Sequence, residues 1–235
     1  MIAPGTLCGV GLGPGDPDLI TVGAARRIAQ ARVVAYPALA GAPSFARSIA
    51  ADLIPADARE IVIDVPMTPD RAPAQAAYDA GAAEIAAALD AGADVVALCE
   101  GDPFFYGSFM YLHARLAPRY RVDVVPGVTS ITACAARAGR PLSARNEVVT
   151  ILPGPLPDAA LADRLDAADT LAIMKVGRHL PRLRALLAGR GLADRATYVE
   201  RATLGAERVL PLAEAPDAAP YFSMILVSKG TDPWL

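Results

Sequence analysis

Two apolar runs of this chain stop in the same way. One ends in Glu100-Gly101-Asp102-Pro103, the other in Gly13-Pro14-Gly15-Asp16-Pro17. Each sets a carboxylate and free backbone N–H donors at the point where a buried strand must end, which in an open α/β sheet is where ligands bind. Asp16, Glu100 and Asp102 suit a cationic or hydroxyl-rich ligand better than a phosphate, because a carboxylate beside N–H groups holds a ribose diol or an amine. Phe104, Phe105 and Tyr106 follow at once. Their faces can stack on a base or cover a sulfonium, or they can simply begin a helix and face the core.

The run Gly9-Val10-Gly11-Leu12-Gly13-Pro14-Gly15 invites a dinucleotide reading. Pro14, however, removes an N–H where a pyrophosphate loop would use one, and Asp16 adds negative charge beside it. A P-loop is a weaker reading still, because no Gly-Lys-Ser/Thr follows. Taken alone, the first turn reads as a tight strand-to-helix connection that needs glycine for its dihedrals.

The elements that would position these turns alternate regularly. Strands are expected at Thr6 to Leu12, Val33 to Tyr36 (closed by Pro37), Glu60 to Val65, Asp94 to Cys99 and Tyr120 to Val125. Between them, Thr21 caps a helix to Ala31 and Ser44 caps one to Leu53, while Pro73 to Ala91 and Ser108 to Leu116 are helical. Helices of that length between strands make parallel βαβ units. Pro126-Gly127 breaks the pattern, and a small-residue helix runs from Thr129 or Ser130 to Arg137. Strands then follow at Glu147 to Leu152 and Thr170 to Lys175, with helices near Leu161 and at Leu183 to Leu187. Ala196 to Arg201 and Glu207 to Leu212 are too close for a crossover helix, so they form an antiparallel hairpin beside Phe222 to Val227. The expected fold is two α/β domains, 1–126 with a mainly parallel sheet and 127–235 with a mixed one, and an active-site trough between them.

Composition narrows the classes further. The 54% hydrophobic content of the 235 residues is inflated by alanine, and no stretch matches the roughly 20-residue apolar span of a membrane helix. The N-terminus lacks the basic start of a signal peptide. A net charge of −3 argues against general nucleic-acid binding. Cys8, Cys99 and Cys134 are odd in number and far apart, which fits reduced thiols of a cytoplasmic protein. No metal-ligand cluster is visible.

Read together, the motifs carry a resemblance. Val10-Gly11-Leu12-Gly13-Pro14-Gly15-Asp16-Pro17 resembles the opening motif of the tetrapyrrole methylases, Glu100-Gly101-Asp102-Pro103 with Gly107 their second, and Val125-Pro126-Gly127-Val128-Thr129-Ser130 their third. Met174-Lys175, Glu200-Arg201-Ala202-Thr203 and Tyr221-Phe222-Ser223-Met224 follow in the expected order, so the likeness spans nearly the whole chain. It implies a homodimer that moves a methyl group from S-adenosyl-L-methionine to a bridge carbon of a reduced tetrapyrrole. Carried over by motif, Pro14, Gly101, Asp102, Phe105, Thr129, Ser130, Met174, Ala202 and Ser223 line the cofactor site. In that reading Gly101 permits close backbone approach, Asp102 accepts bonds from cofactor polar groups, and Met174 and Ala202 hold the adenine.

Such a substrate carries many carboxylates, and arginine pairs with these bidentately. Arg47, Arg145, Lys175 and Arg178 are therefore the expected substrate contacts, with Arg140 and Arg201 also near loop ends. His113 and His179 suit structural roles better than proton transfer, and Tyr36 or Tyr106 could orient the substrate. The reduced macrocycle is an enamine-like nucleophile, so no acid–base residue is assigned. Three alternatives stay open: a family member acting at another carbon, a macromolecule-directed relative, and a nucleotide-binding module without chemistry.

Overall fold

The computed structural model describes residues 2–66, 68 and 70–230, which divide into two compact units, one up to Thr129 and one from Ser130 onward. The expected division at 126/127 lies three residues earlier than this one.

In the first unit, β1 (Leu7–Gly11), β2 (Val33–Leu39), β3 (Arg59–Val65), β4 (Val95–Cys99) and β5 (Val122–Val125) form an all-parallel sheet in the order β3-β2-β4-β1-β5. Both β1 and β4 are buried at every position, as expected of central parallel strands covered on both faces. The edge strand β3 alternates, with Ile61 and Ile63 in the core and Val62 and Asp64 outward. On one face, α3 (Arg71–Asp90) and α4 (Phe109–Leu116) pack Tyr78, Ile85, Leu89, Phe109 and Leu112 against the sheet. On the other, α1 (Val22–Ala29) and α2 (Phe45–Ile49) contribute Ile28 and Ile49. Ile85 and Leu89 are fully buried, and each such side chain contributes about 1.5–3 kcal/mol. Thr21 caps α1 as its sequence predicts, the N–H of Ala24 donating to its Oγ1 at 3.2 Å.

Two expectations change here. β2 runs through Pro37 to Leu39 instead of closing at it, because β4 pairs with β2 only over Val33 to Ala35. Beyond that point β2 has a neighbour on one side only, where a missing N–H is tolerated. α3 begins at Arg71, with the N–H of Ala72 donating to Asp70 Oδ1 at 3.1 Å. Pro73 thus falls in the first turn, where its absent donor has no partner to lose.

In the second unit, β6 (Val149–Pro153), β7 (Thr170–Met174), β8 (Ala196–Glu200), β9 (Arg208–Pro211) and β10 (Ser223–Ser228) form a mixed sheet in the order β6-β7-β10-β8-β9. β6 and β7 are parallel, β10 runs antiparallel to β7 and β8, and β8–β9 is the expected hairpin. Leu161 and Leu165 of α6 (Asp158–Ala167) and Leu180, Leu183 and Leu187 of α7 (Leu180–Ala188) cover one face. α5 (Ser130–Arg137) opens the unit and buries Ile131 and Cys134. No helix among the described residues is long and apolar enough to cross a membrane.

Candidate functional site

The strand order locates a crevice in the first unit. β1 leads to α1 on one face of the sheet, whereas its neighbour β4 leads to α4 on the other. Connections that leave adjacent strands in opposite directions open a space at their carboxyl ends. Both Gly-Asp-Pro turns lie there. Past the ladder, the Leu12 N–H donates to the Cys99 carbonyl at 2.9 Å, and Gly13 and Gly101 exchange backbone hydrogen bonds of 3.2 and 2.7 Å. The two turns are therefore stitched into one structure.

Gly127 joins them from the end of β5. A Cβ on Gly127 would meet the Gly101 carbonyl oxygen at 2.1 Å, and one on Gly11 would meet the Gly127 N at 2.5 Å. These backbones touch because none of the residues has a side chain. Gly101 itself behaves differently. Its φ is +65°, and a Cβ there would meet nothing within 4 Å. Its α-carbon faces open space at the switch point, as a close backbone approach to a ligand requires.

Asp102 ties the turns together. Its Oδ1 accepts the N–H groups of Phe104 and Phe105 at 2.9 and 3.0 Å, and its Oδ2 accepts that of Gly127 at 3.1 Å. A carboxylate has about four acceptor positions, so the backbone takes most of them. Asp102 shapes the turn first, with room left for one more donor. Asp16 plays a similar local part, its Oδ1 accepting the Asp18 N–H at 2.9 Å to cap the short 3-10 turn Pro17–Leu19. Pro14 and Phe105 are half-buried in the two turns. Phe104 packs edge-on against His113, ring centres 5.0 Å apart, giving that histidine a packing partner. Tyr106 holds a left-handed φ of 55°, a conformation that costs a non-glycine residue about 1–2 kcal/mol. Glu100, at the end of β4, is half-buried. Burial pushes its carboxyl above the usual range, opposed by its own N–H and that of Ala46.

In the second unit the remaining motif residues also collect at strand ends. Because β10 is antiparallel to β7 and β8, Met174 lies opposite Met224 and Glu200 opposite Ser223. The Ser223 hydroxyl donates to the Pro220 carbonyl at 2.7 Å and accepts the Gly177 N–H at 3.2 Å, tying the turn after β7 to the start of β10. The Arg201 N–H donates to the Phe222 carbonyl at 2.8 Å, which brings Ala202 into the same group. Lys175, Arg201 and Thr203 all hold left-handed φ values, of 56°, 50° and 70°. Such conformations gather at binding sites. Behind them Glu200, 3% exposed, accepts the Tyr198 hydroxyl at 2.5 Å and faces Arg208 at 3.5 Å. This buried support was not foreseen, although Glu200 stands inside a motif. Thr129 is the last residue of the first unit and Ser130 the first of α5.

The expected substrate contacts divide. Lys175 and Arg178 are exposed in the turn after β7, next to Gly177. Arg145 is exposed on the segment before β6, with φ of 48°. Arg47 is already engaged: its Nε and one terminal nitrogen donate to Glu60 at 2.7 and 2.9 Å, and the Tyr36 hydroxyl donates to the same carboxylate. Arg140 donates to Thr197 Oγ1 at 3.1 Å. Burial, then the charges of Arg182 and Arg178, push His179 below the ordinary imidazole range, which favours its neutral form.

Both the sequence and the fold are matched by known proteins. The Tetrapyrrole (Corrin/Porphyrin) Methylases profile matches residues 6–216, and the chain belongs to that family. It is 44% identical over 240 residues to the precorrin-2 C(20)-methyltransferase of a Sinorhizobium species, covering 98% of both chains. It is 36% identical to the cobalt-precorrin-2 C(20)-methyltransferase of Salmonella typhimurium, covering 96% of this chain and 97% of that one. Among solved structures, uroporphyrin-III C-methyltransferase from Thermus thermophilus complexed with S-adenosylhomocysteine superposes with a TM-score of 0.69 at 26% identity, covering 96% of this chain and 92% of the other.

Proposed function

We propose that the protein transfers the methyl group of S-adenosyl-L-methionine to the C(20) bridge carbon of precorrin-2, giving precorrin-3A in cobalamin biosynthesis. The observation that carries this reading is the 44% identity to a precorrin-2 C(20)-methyltransferase across 98% of both chains. In this reading Pro14, Gly101, Asp102, Phe105, Thr129, Ser130, Met174, Ala202 and Ser223 are the cofactor contacts. Lys175, Arg178 and Arg145, all exposed, and Arg47, which is paired with Glu60, are the contacts for substrate carboxylates.

The reaction is an in-line displacement at a sulfonium-activated methyl. The protein's chief task is to hold the methyl carbon and the accepting carbon in line at contact distance, an entropic contribution of up to about 7–11 kcal/mol. The open α-carbon of Gly101 lets backbone reach the cofactor, and the Asp102 bonds keep that backbone from yielding. The likeness to the Salmonella enzyme supports a cobalt-carrying substrate as the second reading.

We read the chain as a cytoplasmic homodimer. Cys8, Cys99 and Cys134 are free and buried, as a reducing compartment allows. Phe104, Tyr106, Met110 and Tyr111 expose apolar surface around the start of α4, which a second copy could cover. Isothermal calorimetry checks the cofactor class: S-adenosylhomocysteine should bind with an affinity in the micromolar range, about 8 kcal/mol, and NAD should not bind. No heat with millimolar S-adenosylhomocysteine sinks the methylase reading.

A further inference from the structure

Methylation of a bridge carbon that carries hydrogen has a second half. The bridge carbon forms its new bond with a pair from the macrocycle's π system, while the S–CH3 pair stays on sulfur as neutral S-adenosylhomocysteine. The carbon now bears both hydrogen and methyl, and the macrocycle is cationic. Breaking the C–H bond returns a pair to the conjugated system, and the proton must go to a base. We propose that the base is the carboxylate of Glu100, acting directly or through one water. This rests on the C(20) reading above.

Three carboxylates stand at the carboxyl ends of β1 and β4, and two are committed. Asp16 caps its own turn, and Asp102 accepts three backbone N–H groups. Among the other half-buried and buried glutamates of the described residues, Glu60 is paired with Arg47, Glu200 faces Arg208 and Glu207 is held by Arg137, while Glu147 belongs to the second unit and accepts the Ala144 N–H at 2.9 Å. Glu100 forms no ion pair among the described residues, and what meets it is backbone: its own N–H and that of Ala46 in α2. The titratable groups that sense it are the Cys99 thiol on its own strand and the Tyr78 hydroxyl from α3. Burial pushes both upward, so both are neutral near pH 7. A carboxylate desolvated without a cation is costly to stability, and such groups gather where proton transfer is needed. The upward shift brings the carboxyl nearer the operating pH, where a general base is most effective.

The test compares the wild type with Glu100→Gln and Glu100→Asp. S-adenosylhomocysteine affinity is measured by calorimetry, and the kcat of anaerobic precorrin-2 methylation is followed from about pH 5 to about pH 9. The wild-type profile should fall on its acid side as the carboxyl protonates. E100Q should bind S-adenosylhomocysteine as the wild type does, lose about 100-fold in kcat and lose the acid limb. E100D should keep the limb and recover part of the rate. The proposal is overturned by an E100Q of wild-type kcat, by loss of cofactor affinity in step with kcat, or by a wild-type profile flat on its acid side. That last result needs no folded variant. A wild type that binds S-adenosylhomocysteine yet leaves precorrin-2 unmethylated overturns the substrate reading, and the base assignment with it. An active wild type matched by E100Q overturns the base assignment alone.

Discussion

Asp102→Ala should weaken S-adenosylhomocysteine binding by about 100-fold, or about 2.7 kcal/mol, while leaving both units folded. The substitution frees the N–H groups of Phe104, Phe105 and Gly127 together. Hydrogen bonds to a charged group contribute about 1.5–3 kcal/mol each, and these lie partly in solvent, so their combined loss stays near the lower end. What goes is the shape of the turn: residues 101–105 come loose from the end of β5, and Gly101 no longer presents its backbone in a fixed place. Asp102→Asn is the informative companion. Its amide oxygen can still accept from Phe104 and Phe105, but its NH2 group meets the Gly127 N–H donor to donor, so its affinity should fall between the two. Calorimetry on the three proteins checks the order. Equal affinities in all three would mean that the carboxylate neither shapes the site nor contacts the cofactor.

Gly127→Ala should have a larger effect on stability than any other single methyl added at the site. The new Cβ would lie 2.1 Å from the Gly101 oxygen and 2.8 Å from the Gly11 α-carbon. Both are backbone atoms, which cannot rotate away as a side chain can, so the three turns must separate. Overpacking a core costs about 1–3 kcal/mol, and a clash against two backbones belongs at or above the top of that range. The first unit should unfold at clearly lower denaturant concentration, and cofactor binding should be lost. Two glycines calibrate the result. Gly205→Ala meets nothing within 4 Å and should be silent. Gly101→Ala also meets nothing but keeps a φ of +65°, so it should cost about 1–2 kcal/mol and still abolish binding, because its methyl enters the space the cofactor needs. If Gly127→Ala melts with the wild type, the stitched turns are not what holds the site.

Much of this architecture is legible in the sequence because it rests on local signals. Alternating apolar runs and capped helices announce the parallel first unit, and the short spacing between Ala196–Arg201 and Glu207–Leu212 announces the hairpin. Pro37 was misleading because its tolerance depends on which strand lies beside it, and the strand order β3-β2-β4-β1-β5 is a property of the whole sheet. The site divides along the same line. Gly101 and Asp102 stand out from their turn, but that one oxygen of Asp102 is spent on Gly127, 25 residues away, is visible only once β5 lies beside β1. Arg47 stands near a loop end, as a substrate contact would, and its engagement by Glu60 comes from the pairing of β2 with β3. Gly11 and Gly127 gave one usable signal, glycine at the ends of two adjacent strands, but their contact is tertiary.

The most direct test of the central claim is to incubate the protein anaerobically with precorrin-2 and methyl-labelled S-adenosyl-L-methionine, then locate the label by NMR, with cobalt-precorrin-2 in a parallel reaction. The account predicts a single labelled methyl on the C(20) bridge carbon of precorrin-2. Label on any other carbon, or no transfer by a protein that binds S-adenosylhomocysteine, would contradict it.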